Sequence, residues 1–214
     1  MMRSSTTDRP AKAESNPSSA HRLRWRVVDI VVASVLGVAT GLVFLLWDLA
    51  HVGPSALLTP LLPGLQGLLN GPWLLAGVLG ALIVRKPGAA VYTEIVAAVV
   101  ESLVGNQWGG LLTIEAGLVQ GLGVELVVAL FLYRRFDLPV ALLAGAAAGV
   151  FGACNDLVLW YPGSAPGFAV TYLVTSAISG AVLAGLVGWL ITKGLARTGA
   201  LDRFAAGREA RGRV

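Results

Sequence analysis

Charge is scarce in this chain: Asp, Glu, Lys and Arg make up only 13% of its 214 residues, about half the roughly 25% of an ordinary soluble domain. Cysteine is almost missing, and the solitary Cys154 excludes an intrachain disulfide and a cysteine metal cluster. Histidine is limited to His21 and His51, which argues against a histidine-ligated metal or haem inside the fold. No G-x-x-x-x-G-K-S/T phosphate loop occurs, so nothing in the chain marks an ATPase. The apolar stretches also lack the period-two alternation that a membrane β-barrel needs.

What is present is apolar: 56% hydrophobic residues and a mean hydropathy of +0.75. Such a chain is an integral membrane protein, and six spans of about 20 residues would use nearly all of it. The expected fold is an all-α, six-helix membrane bundle over residues 25–195. A polar N-terminal tail covers residues 1–24, expected to be disordered, and a basic tail covers 196–214. The spans read as Val27 to Trp47, Pro72 to Val84, Ala89 to Val104, Leu111 to Tyr133, Pro139 to Leu159 and Gly167 to Leu195. Between the first two, Pro54, Pro60, Pro63 and Gly64 remove donors and break the helix, giving an irregular or re-entrant segment that is a candidate lid.

The basic residues test this count. All sixteen Lys and Arg lie before residue 27, at Arg85–Lys86, at Arg134–Arg135, or after residue 192. The alternate joints, 48–71, 105–110 and 160–166, carry none. By the bias of basic residues toward the cytoplasm, both termini are expected there, in the cell membrane. These clusters are topology anchors able to touch anionic lipid, and they do not argue for nucleic acid.

Carboxylates inside the spans are the functional signal, because each costs about 2.5–3.5 kcal/mol to insert at mid-span. Glu101, Glu115, Asn155 and Asp156 fall in the half opposite the basic joints, beside the polar loop Asn106–Gln107–Trp108. Glu94 and Glu125 lie deeper and read as hydrogen-bonding glue between helices. No Lys or Arg is expected in these span interiors, so the acids suit a cationic or donor-rich ligand. The candidate binding residues are Glu101, Asn106, Trp108, Glu115 and Asp156, with Trp160 and Trp47 as aromatic walls. Small residues recur every four positions at Ala33, Gly37 and Gly41, at Ala141, Gly145, Gly149 and Ala153, and at Ser176, Gly180, Ala184 and Gly188, allowing close helix contact.

The run Trp25 to Asp48, followed by Asn70 to Gly109 with its RKPGAA turn, Glu-bearing helix and NQWG loop, resembles the YkoE-type substrate-binding (S) components of energy-coupling factor (ECF) transporters. The resemblance covers residues 25–195. It implies six helices, an outward vitamin pocket under loops, and no ATPase or cofactor in the chain itself. It also implies a transmembrane coupling (T) subunit and two ATP-binding cassette ATPase subunits as partners. Ala33, Gly37 and Gly41 match the small-residue pattern through which such components meet the T subunit. The implied substrate is thiamine or its hydroxymethylpyrimidine (HMP) precursor. Read without the resemblance, the same residues leave open a stand-alone secondary transporter with Glu94, Glu101 and Glu125 as a proton relay. A structural subunit and an intramembrane hydrolase are weaker alternatives, the last lacking a Ser–His pair in the bilayer.

Overall fold

The computed structural model describes residues 23–211, so the N-terminal tail expected over 1–24 falls almost wholly outside the described residues. Within them the regular structure is entirely helical. The helices are α1 (Val27–Ala50), the short α2 (Val52–Leu58), α3 (Gly71–Val84), α4 (Ala89–Val104), α5 (Gly110–Leu130), α6 (Leu138–Leu159), α7 (Pro166–Arg197) and α8 (Ala205–Arg211). Four of these, α1, α5, α6 and α7, are long and apolar enough to cross a membrane. The other two apolar segments are shorter. Helix α3 has a 3-10 first turn of 4 residues and then 10 α-helical ones, and α4 has 16 residues. At roughly 1.5–2 Å per residue each reaches some 23–24 Å, less than the ~30 Å of a hydrocarbon core.

Packing follows the small-residue stripes. Helix α1 buries Ala33, Gly37, Thr40, Gly41 and Phe44. A Cβ on Gly37 would lie 2.6 Å from the Val96 Cβ, and one on Gly41 would lie 2.7 Å from the Ala97 carbonyl, both on α4. The stripe expected to meet a T subunit is thus turned inward. The physical reason is that α1 and α4 approach too closely there for any side chain, and Ala33 is fully buried. Helices α6 and α7 meet backbone to backbone: a Cβ on Gly145 would fall 2.8 Å from the Gly185 nitrogen, and one on Gly185 would fall 2.6 Å from the Ala141 carbonyl. At that seam α7 widens into a π turn over Gly180–Leu186.

The 59–70 segment, which winds into a 3-10 helix over Leu65–Leu69, is held by α7. Thr175 Oγ1 donates to the Gly64 carbonyl (2.9 Å), and Ser179 Oγ donates to the Leu68 carbonyl (2.6 Å) while accepting the Gly71 N–H (2.8 Å). Those two hydroxyls, four residues apart on one face, satisfy backbone groups that a membrane interior would otherwise leave bare. Residues assigned to the C-terminal tail are partly docked. Leu201, Phe204 and Ala206 are buried against Leu79, Ile83 and Ala196, and Arg85 pairs with Glu209 at 2.9 Å.

Capping explains several acids. Asp137 accepts the Val140 N–H at the start of α6 (3.2 Å), and the hydrogen-bonded Arg135 guanidinium holds its carboxyl below the usual aspartate range. Glu125 accepts the Gly88 N–H (2.6 Å), the Ala90 N–H (3.1 Å) and the Tyr133 hydroxyl (2.8 Å). It closes the N-terminus of α4, where a carboxylate also faces the positive end of the helix dipole. Glu125→Leu should leave three donors unpaired and destabilise by about 2–4 kcal/mol. Its thermal transition in detergent should fall by roughly 5–10 °C, with Glu125→Gln falling less.

Candidate ligand-binding site

A cavity of about 140 Å³ opens at the end of the bundle that carries residues 51–70, 105–109 and 160–165. By the ~10–15 Å³ that one water requires on this measure, it holds on the order of ten waters, enough for a heteroaromatic ring with substituents.

Helix α4 supplies two of its carboxylates. Glu94 and Glu101 are seven residues apart, nearly two turns, and share one face; both line the cavity and are only 1% and 4% exposed. Positive φ at Gly105 (108°) and Gly109 (85°) ends α4 and turns the chain into α5, which a side chain at either position would strain. Asn106 locks the intervening loop. Its amide nitrogen donates to Glu101 (3.2 Å) and Thr113 (2.8 Å), while its carbonyl accepts the Trp108 and Gly109 N–H groups (3.0 and 3.2 Å).

The third carboxylate comes from α6. Asp156 accepts the Tyr172 hydroxyl (2.7 Å), which itself accepts from the Asn70 amide (2.9 Å); that amide also donates to Ser176 (3.0 Å). Both Asn70 amide hydrogens are thereby used, and its carbonyl remains as an acceptor. Glu94 accepts the Gly77 N–H through Oε2, while Oε1 is buried with no hydrogen-bond partner. No Lys or Arg lines the cavity.

Aromatic rings make the rim. Trp73, Trp108 and Trp160 follow one another at centroid separations of 6.4 and 5.8 Å, with His51 4.9 Å from Trp73. Trp73 donates through Nε1 to Asp48 (3.0 Å). A mouth of π-faces above a wall of acceptors suits a flat, cationic, amine-bearing solute.

The family model for an "ABC-type cobalt transport system, permease component" matches residues 28–151. The "Putative HMP/thiamine permease protein YkoE" of Bacillus subtilis (strain 168) is 40% identical over 186 residues, 86% of this chain and 92% of that protein. A solved structure, "Crystal structure of an S-component of ECF transporter", matches with a TM-score of 0.80 at 37% identity, covering 89% of this chain and 95% of that one. The chain belongs to the YkoE-type S components of ECF transporters.

In this S component the residues singled out by sequence divide into two groups. Glu101, Trp108, Asp156 and Trp160 come together on the cavity wall. Asn106, Glu115 and Trp47 do not reach it. Asn106 is spent on the loop, Glu115 accepts from Asn155 (3.1 Å) across the α5–α6 contact, and Trp47 donates to the Leu69 carbonyl (2.9 Å) behind Trp73. Sequence reasoning missed Glu94, although its seven-residue spacing from Glu101 was a usable signal. It also missed Asn70, Trp73 and Tyr172. Asn70 and Tyr172 meet across 102 residues of chain, which no local pattern announces.

Proposed function

We propose that this S component captures thiamine or HMP from outside the cell for ATP-driven uptake. Six helices cross the cell membrane with both termini cytoplasmic, as the placement of the sixteen basic residues supports. A T subunit and two ABC ATPase subunits supply the energy, and anionic lipid meets the basic joints. The single observation that carries the reading is the composition of the cavity: Glu94, Glu101 and Asp156 below a Trp73–Trp108–Trp160 rim, with no Lys or Arg to oppose a cation. The name of the Bacillus subtilis relative points to the same ligands. The cobalt in the family description is not adopted, since no three His, Cys, Asp or Glu side chains gather as metal ligands among the described residues.

Native mass spectrometry of the gently purified chain should find a retained pyrimidine-containing molecule, and calorimetry should register saturable thiamine or HMP binding. No saturable binding of either would overturn the reading. A stand-alone proton-coupled carrier is disfavoured because Glu125, one of its three relay carboxylates, is occupied by three donors at the start of α4. In liposomes the chain alone should therefore accumulate no thiamine under a proton gradient; accumulation without ATP or partners would establish the rival.

A further inference from the structure

Three stretches far apart in sequence converge at the end of the bundle opposite the cavity: residues 25–29 at the start of α1, the 85–88 joint between α3 and α4, and the segment that follows α7. Arg26 holds the fully buried Asp29 through two bonds (2.8 and 3.1 Å) and lies over the Phe204 ring at 5.9 Å. Arg85 pairs with Glu209 at 2.9 Å. Lys86 lies within electrostatic reach of Arg26 and Arg208. Burial holds its ammonium below the usual lysine range, Asp29 opposes that shift, and the two guanidiniums add to it. Residues 25–29, 85–88 and 201–209 together carry Arg26, Arg85, Lys86, Arg203 and Arg208 against Asp29, Asp202 and Glu209, a surplus of two positive charges. Crowding like charges in a half-buried place is unfavourable until an anion joins them.

The surroundings set this cluster at headgroup depth. Trp25 donates through Nε1 to the Pro87 carbonyl (2.9 Å) and meets the Tyr92 ring edge-on at 5.8 Å. Amphipathic rings of this kind gather where membrane meets water. Beside them α1 presents Val27, Ile30, Val31 and Val35, all exposed, as a track for acyl chains. The other basic joint is built differently: Arg134 and Arg135 are both exposed, and Arg135 is spent on Asp137 (2.7 Å).

We propose that Arg26, Lys86 and Arg208 bind the phosphate of one anionic phospholipid, which ties the start of α1 to the C-terminal segment. The phosphate supplies the acceptors that guanidinium and ammonium groups take, and its acyl chains hold it in the plane of Trp25. The general attraction of basic joints for acidic lipid thus narrows to one place and one bound molecule. The site is separate from the cavity and stands whatever the cavity binds.

The full chain in detergent should be titrated with phosphatidylglycerol, phosphatidylcholine or inorganic phosphate and followed by native mass spectrometry. One phosphatidylglycerol should bind saturably, about tenfold or more tighter than phosphatidylcholine. Lys86→Gln combined with Arg208→Gln should weaken that lipid by about tenfold or more. Arg134→Gln combined with Arg135→Gln removes the same charge and should change it less than about threefold. Hydrogen exchange over 201–209 should slow when phosphatidylglycerol binds the wild type and stay unchanged in the Lys86–Arg208 variant. Equal losses in the two double variants would mean diffuse attraction and overturn the site. Saturation by inorganic phosphate in place of the lipid, or no preference over phosphatidylcholine, would overturn it too. Thiamine titrations of the same proteins should match the wild type, so failure of the lipid site leaves the transport reading standing, and failure of thiamine binding leaves the lipid site standing.

Discussion

Gly145→Leu should fail to give a monodisperse protein, or give one that melts roughly 2–12 °C lower in detergent. A Cβ there meets the Gly180 carbonyl and lies 2.8 Å from the Gly185 nitrogen, so the obstruction is main chain on both sides and no rotamer change relieves it. Overpacking a rigid contact costs about 1–3 kcal/mol and sometimes more, and for a chain of this size each kcal/mol moves the transition by about 2–4 °C. Gly194→Ala is the matched control. It lies within α7, the helix that faces Gly145, but nothing stands within 4 Å of its Cβ position, so removing glycine's backbone freedom should leave stability unchanged or raise it by up to ~1 kcal/mol. Equal melting of both variants would show that the α6–α7 seam is looser than its geometry states.

The second large effect concerns charge at the cavity mouth. Glu101→Gln combined with Asp156→Asn retains acceptors for Asn106 and Tyr172 while removing two carboxylates from the wall. Charge-assisted contacts contribute about 1.5–3 kcal/mol each, so affinity for cationic thiamine should fall at least a hundredfold. Neutral HMP should lose less than about tenfold. Glu115→Gln should leave both within about twofold, because Glu115 contacts Asn155 and lies off the cavity wall. Isothermal titration of the three proteins with both ligands decides the matter, and a parallel loss for thiamine and HMP would mean that these acids do not read the cation.

Much of this architecture was legible before any coordinates. Hydropathy located the six apolar segments, because lipid imposes a length and a polarity that few other environments demand. The prolines forecast that the chain beyond α1 would not run on as one long helix, although Pro54 sits inside the short α2, and the Glu94–Glu101 spacing placed two carboxylates on one face. What stayed hidden was direction. A stripe such as Ala33, Gly37 and Gly41 states that something comes close without saying what, and here the neighbour is α4 of the same chain. The same ambiguity separated Glu101 from Glu115. Both are acids in apolar helices, but one faces an opening and the other faces an asparagine on the next helix. Depth misled in the remaining case: Glu94 read as glue because it lies far from the loops, whereas the cavity extends down to it.

The wide turn at Gly180–Leu186 amounts to a surplus residue stored in the middle of α7. Deleting one residue there would rewind the helix to its regular pitch and leave everything downstream on the face it occupies now, because the wide turn already absorbs the ~100° that one extra residue adds. Trp189, Thr192 and Ala196 would still face the bundle interior, with Leu190 and Ile191 still exposed. The last helix can therefore shed one residue inside 180–186 without reassembling the bundle, whereas the same loss in its regular stretches would turn buried faces outward.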